Sequence, residues 1–197
     1  KLEDFYMSQS SGSNKFFYTQ NANGSFSQKK SSLLLSNKDS EDTGHTLADV
    51  DNDGDLDLYI CSGGNEFTEA SSNLMDRLYL NDGRGNFRLS SQILPTFKFE
   101  SSSCVRHADI DQDGDQDLFV GVRNKPIYYG VPVNGYILIN DGKGNFTDLT
   151  KSIAPGLLSI GMITDAHWAD LNQDQTPDLI LCGEYMPIKV FYNKNGS

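Results

Sequence analysis

The residues best placed to do chemistry are acidic, and they recur. "ADVDNDGDLDLYI" runs from Ala48 to Ile60 and "ADIDQDGDQDLFV" from Ala108 to Val120. A degraded copy, "ADLNQDQTPDLIL", runs from Ala169 to Leu181. With Asp49 as position 1, aspartates fall at positions 1, 3, 5 and 9, as Asp49, Asp51, Asp53 and Asp57. Gly54 at position 6 permits a sharp reversal, and Asp55 at position 7 can offer its backbone carbonyl. The second loop repeats the set with Asp109, Asp111, Asp113, Asp115 and Asp117 around Gly114. Alternate carboxylates on a tight loop turn their oxygens toward one centre. Without a cation they repel one another. With a hard divalent cation they become an oxygen cage, and calcium, which accepts about six to eight oxygens in a flexible shell, fits better than magnesium. The third loop offers Asp170, Asn172, Asp174 and Asp178, with Gln175 where the others have glycine. Two strong calcium sites and a weaker third are therefore expected.

An EF-hand begins in the same way but needs a bidentate glutamate at position 12 and flanking helices. Position 12 here is Ile60, Val120 or Leu181, each inside an apolar run. Position 9 must then close the cage, and the loop must cap a β-hairpin.

The elements that hold these loops follow from the period. The loops start at Asp49, Asp109 and Asp170, about sixty residues apart. A second motif is interleaved with them: "LYLNDGRGNF" at Leu78–Phe87 and "ILINDGKGNF" at Ile137–Phe146, with a degraded copy at Phe17–Phe26 and a further one beginning at Val190. Asn-Asp-Gly-x-Gly supplies the positive φ values of a hairpin turn. Each unit reads as four short strands. Strand A precedes the acidic loop, B follows it, C precedes the glycine turn, and D begins at "NF". Units of this size with four antiparallel strands describe the blades of an all-β propeller. The 197 residues form one repeat domain holding a partial propeller of about three blades. The blade units are expected over 15–30 (the end of a blade), 44–90, 103–149 and 162–197, the last incomplete. An open arc leaves strand edges that missing blades or self-association must cover.

Composition sets the wider limits. Sixteen Lys+Arg against 27 Asp+Glu give a formal charge of −11, which argues against a nucleic-acid or anionic-membrane surface. No apolar run is long enough to span a membrane. The chain opens on Lys1 rather than Met, as expected of a piece of a longer protein. Three cysteines do not make a disulfide framework; Cys61 and Cys182 occupy equivalent positions, and all three are expected to be buried thiols. His45, His107 and His167 precede the loops at unequal offsets and read as strand or channel residues, and Trp168 as blade packing.

Asp-x-Asp-x-Asp-Gly-x-x-Asp-Leu followed by Leu-Tyr-x-Asn-x-Gly-x-Gly-x-Phe resembles the FG-GAP/VCBS repeats, the calcium-binding blades of integrin α-subunit propellers and of many secreted bacterial proteins. The resemblance covers roughly Phe17 to Asn193. The Phe-Gly and Gly-Ala-Pro motifs of the integrin repeats are not visible, so the sequence resembles the bacterial branch more closely. The resemblance implies structural calcium and an extracellular or cell-surface setting, and the low affinity of extracellular calcium modules points to an extracellular, periplasmic or surface-exposed compartment.

The expected function is non-catalytic: a calcium-binding propeller segment for extracellular recognition or adhesion, with an extracellular protein or glycan as partner. No nucleophile elbow, zinc-protease helix or phosphate loop is present, and calcium-clamped aspartates are poor general acids. Two alternatives are part of a calcium-dependent polysaccharide lyase and a structural spacer. Recognition is expected on the face opposite the acidic loops, where the B–C connections differ in length. The second of these carries Arg123, Lys125, Tyr128 and Tyr129, a basic and aromatic cluster on an acidic protein.

Overall fold

The computed structural model describes residues 4–7, 10–29, 38–68, 70–92, 94 and 100–194. Among them the chain forms four antiparallel sheets, each a meander of consecutive strands. The first sheet holds β1 (Phe5–Met7), β2 (Phe16–Gln20) and β3 (Phe26–Lys29). The second holds β4 (Glu41–Ala48), β5 (Asp57–Gly63), β6 (Arg77–Asn81) and β7 (Phe87–Leu89). The third holds β8 (Ser101–Ala108), β9 (Asp117–Asn124), β10 (Gly135–Asn140) and β11 (Phe146–Asp148). The fourth holds β12 (Met162–Ala169), β13 (Asp178–Glu184) and β14 (Lys189–Phe191). The two middle sheets are complete four-stranded blades, and the array is a partial propeller. One short helix, α1 (Thr150–Ile153), lies between the third and fourth sheets.

Strand β1 was not foreseen. Its pairing of Tyr6 with Phe17 matches that of Tyr59 with Leu78, so β1 is a B strand. The first sheet is therefore B–C–D rather than C–D, and the fourth is A–B–C. The A strands also start earlier than the sequence suggested, at Glu41 and Ser101. The tail of the expected last unit, residues 195–197, lies outside the described residues.

Packing between sheets follows the two-residue period of a strand. In β5, Leu58 and Ile60 join a buried cluster with Tyr6 and Phe17 of the first sheet. The alternate residues Tyr59 and Cys61 join Val105, Leu118 and Val120 of the third. Phe119 then turns the other way, toward Ile163, Leu179 and Leu181 of the fourth. This two-sided burial explains why the B strands are continuous apolar runs. It also corrects one expectation: Cys61 and Cys104 are buried, but Cys182 is exposed. Cys182 occupies the same place as Cys61, on a sheet with no described neighbour on that side. Trp168 packs against the cluster between the third and fourth sheets.

Each A strand carries a bulge at the same place, between Asp42 and Gly44, Ser102 and Cys104, and Ile163 and Asp165. The bulged residue is a hydroxyl amino acid each time. Thr43 Oγ1 donates to the carbonyl of Ser102 at 2.6 Å, and Ser103 Oγ to that of Ile163 at 2.7 Å. The residue left out of its own ladder thus joins its sheet to the next. The successive A strands, which carry His45, His107 and His167, lie against one another. Burial lowers the pKa of His45 and of His107, whose Nδ1 lies 2.8 Å from Thr46 Oγ1.

Candidate metal centre

The first acidic loop joins β4 to β5, the second β8 to β9, and the third β12 to β13. The reversal is tight enough to require positive φ at two positions, Asn52 (58°) and Gly54 (92°) in the first loop, Gln112 (64°) and Gly114 (98°) in the second. Between these bends the carboxylates converge. Asp49, Asp51 and Asp57 each place an oxygen within 4.8 Å of the others, and Asp109, Asp111 and Asp117 do the same.

The hydrogen bonds divide these groups by role. The position 9 carboxylates are buried, with Asp57 1% exposed and Asp117 fully covered. Asp57 Oδ2 accepts from Val50 N at 3.0 Å and Oδ1 from Asn81 N at 2.8 Å. Asp117 does the same with Ile110 and Asn140, and Asp178 with Leu171 and Asn193. Position 9 therefore ties the acidic loop to the end of strand C, and each of its oxygens retains a second lone pair for a cation. Burial pushes the pKa of Asp57 and of Asp117 up to about 6 despite these bonds. At Asp51, burial and then the charges of Asp53 and Asp49 act in the same direction. A cation removes this cost of crowded, desolvated charge.

Positions 1 and 3 carry the unmatched oxygens. Asp49 Oδ1, Asp51 Oδ1 and Asp109 Oδ1 are buried without a hydrogen-bond partner. Buried acceptors are ordinarily paired. An acceptor-only set of this kind fits a hard cation.

Position 5 serves the loop: Asp53 Oδ1 accepts from Asp55 N at 3.0 Å and Asp113 Oδ1 from Asp115 N at 2.9 Å. Neither Asp53 nor Asp113 falls in the three-carboxylate groups. At position 7 the side chain turns away. A Cβ on Gly83 would stand 2.4 Å from Asp55 Oδ2, and one on Gly142 2.5 Å from Asp115 Oδ2. These carboxylates occupy the space that a turn side chain would need, leaving Asp55 and Asp115 their backbone carbonyls as possible ligands. Asp115 Oδ1 also accepts from Asn52 Nδ2 of the preceding loop at 2.6 Å.

The third loop is wired differently. Both oxygens of Asp170 are used, Oδ1 by Asp174 N and Oδ2 by Gln175 N. Asn172 Nδ2 donates to Asp174 Oδ2, and Asp174 Oδ1 accepts from Thr176 N and Oγ1. Those hydroxyl and backbone bonds hold the Asp174 carboxyl below its ordinary range. Gln175 takes the glycine place with φ of 71°. This loop satisfies its acceptors internally.

On the opposite face the structure reassigns the basic cluster. Tyr128 and Tyr129 are exposed, as expected, but Arg123 forms a salt bridge to Glu184 of the fourth sheet at 2.6 Å. Tyr129 donates to the same carboxylate and meets Tyr185 edge-on at 6.3 Å. Lys125 pairs through its backbone with Tyr128. The sequence did not single out Glu184 or Tyr185, which belong to the shortest B–C connection.

Among the described residues no helix is long and apolar enough to cross a membrane. A search of curated proteins finds no match for this chain. The FG-GAP-like repeat family, in contrast, matches residues 1–60, 63–120 and 109–181. These three segments span most of the chain and contain all three acidic loops, and the chain belongs to the FG-GAP-like repeat family.

Proposed function

We propose that the chain is a non-catalytic, calcium-binding propeller segment of a secreted or cell-surface protein, and that it serves extracellular recognition. The observation that carries the calcium reading is the set of buried, unpartnered oxygens on Asp49, Asp51 and Asp109. The first loop takes calcium through Asp49, Asp51 and Asp57, completed by Asp53 and the carbonyl of Asp55. The second takes it through the equivalent residues. At affinities of roughly 10⁻⁴–10⁻³ M, usual for extracellular modules, the sites fill outside the cell and stay empty in the cytosol. The test is a thermal melt in excess chelator and again with millimolar calcium. Binding to the folded state alone raises the midpoint by mass action. Identical midpoints in the two conditions defeat the reading.

Recognition falls to the face opposite the loops, where Tyr128, Tyr129 and Tyr185 are exposed. Their rings suit a glycan or a protein loop, since aromatic groups bury much area at small entropic cost. Replacing Tyr128 and Tyr185 with alanine is expected to abolish binding to an array of extracellular glycans and proteins without moving the calcium-dependent melt.

A further inference from the structure

Three equivalent positions meet at every junction between consecutive sheets. Two come from one sheet and one from the next. The strand register defines them. Tyr6 faces Phe17, Tyr59 faces Leu78, and Phe119 faces Ile137. Two residues before each of those partners on strand C stand Lys15, Asp76 and Gly135. The following sheet supplies the residue just ahead of its bulge, which is Asp42, Ser102 or Ile163.

The three nodes share their geometry and differ in their chemistry. At the first junction Asp42 accepts from Tyr6 OH and from Lys15 Nζ, both at 2.5 Å, and also from the buried Arg77 of its own sheet at 2.5 Å; all four are buried. The second junction reverses the arrangement. Its carboxylate is Asp76, on strand C, and it accepts from Tyr59 OH at 2.9 Å and from Ser102 Oγ at 3.0 Å. At the third junction a Cβ on Gly135 would stand 2.8 Å from the ring of Phe119 and 3.2 Å from Ile163, so hydrocarbon fills the node.

These solutions exclude one another. Lys15 against Ser102 or Ile163 leaves a buried ammonium without its carboxylate. Asp76 against Asp42 brings two buried carboxylates together. Phe119 and Gly135 against Asp42 remove two of its three donors and leave its charge to Arg77 of its own sheet alone. Each mismatch costs a sizeable fraction of the stability of a marginally stable fold. Repeats built on one backbone plan can pack on the wrong neighbour, and misassembly is the characteristic failure of repeat proteins. We propose that the three-residue node is an address that fixes which blade packs on which, working by repulsion of the wrong neighbour as much as by attraction of the right one.

The test makes two addresses identical in the full chain. Ser102→Ile alone mismatches the second node and is expected to lower the melting midpoint by roughly 5–10 °C. Adding Tyr59→Phe and Asp76→Gly copies the third node into the second and is expected to recover more than half of that loss. Two junctions then carry the same address. On refolding at rising protein concentration, the yield of species with the wild-type amide spectrum is expected to fall at least twofold below that of the wild-type chain. The converse variant, Phe119→Tyr with Gly135→Asp and Ile163→Ser, duplicates the second address and should behave alike. If both triple variants remain as unstable as the single mismatch, the node is not a transferable unit and the proposal fails. If they recover stability and refold as faithfully as the wild type, the node stabilises the junction without addressing it, and the proposal fails equally.

Discussion

The side-chain amide of Asn140 donates at 2.8 Å to the backbone carbonyl of Val50, 90 residues earlier in the chain. Val50 is position 2 of the first acidic loop, and Asn140 opens the glycine turn of the next sheet. Asn193 repeats the bond to Ile110 at 2.7 Å. The first and second acidic loops are thus each braced by the blade that follows. Replacing Asn140 with alanine removes this donor and the one to Gln116 O at 3.1 Å. The expected cost is about 2 kcal/mol, a fall of roughly 5 °C in the melting midpoint. Calorimetry should also find calcium affinity reduced several-fold at the first loop and by less at the second, which loses only the longer bond to Gln116. Equal weakening of both would show that the brace does not act locally.

The third loop should bind calcium most weakly, because Asp170 is already saturated by backbone donors and Asn172 gives its amide to Asp174. Asn172→Asp with Gln175→Gly restores the pattern of the first two loops. A titration should then count three comparable binding events where the wild-type chain gives two. Gln175→Gly alone relieves a left-handed side chain, worth about 1–2 kcal/mol, less about 0.4–1 kcal/mol for the added freedom of the unfolded chain. Its thermal midpoint should rise slightly in chelator, and a fall would contradict the strain argument.

Acidity should act through Asp76. Burial pushes its carboxyl up to about 6, against the hydrogen bonds from Ser62, Tyr59 and Ser102. A carboxyl with a raised folded-state pKa holds its proton more tightly folded than unfolded. Its contribution to stability is therefore fully present below about pH 4 and is lost as the pH climbs through about 6, a change on the order of 2 kcal/mol. Denaturant unfolding in saturating calcium, which keeps the acidic loops ionised, isolates this term. Asp76→Asn should flatten the slope between pH 4 and 6, and an unaltered slope would assign it elsewhere.

Thiol labelling offers a direct check on the array. Cys182 is exposed, whereas Cys61 and Cys104 are buried and their thiols are pushed up by that burial. A maleimide should modify one cysteine in the native chain and all three in denaturant. Rapid native labelling of Cys61 would mean that the second and third sheets separate readily.

The parts of this fold legible in the sequence are those dictated by local backbone geometry. An acidic loop needs its aspartates and glycine at fixed spacings, and the turn at Gly83 and Gly85 needs two positive φ values. Both therefore recur as strings. Strand β1 was hidden because it is only three residues long. The junction nodes were hidden for a different reason. At the first junction Asp42 lies 27 and 36 residues from Lys15 and Tyr6, and the members change chemistry from one copy to the next, so in a repeat alignment they look like drift. The cluster at Arg123 read as basic because its neutralising carboxylate, Glu184, sits 61 residues away in another blade.

The bulge hydroxyls carry one more consequence. Neighbouring A strands belong to separate sheets, and Thr43 and Ser103 bridge them through a rotatable side chain rather than a backbone ladder. A ladder fixes the angle between its strands within narrow limits, whereas a hydroxyl pivots. The curvature of the arc is then governed by side-chain volume in the clusters between sheets rather than by a rigid lattice of amides. The same sixty-residue unit is geometrically compatible with rings of more than one circumference, and enlarging or shaving a residue such as Phe119 or Leu118 would widen or tighten the arc without unmaking a single blade.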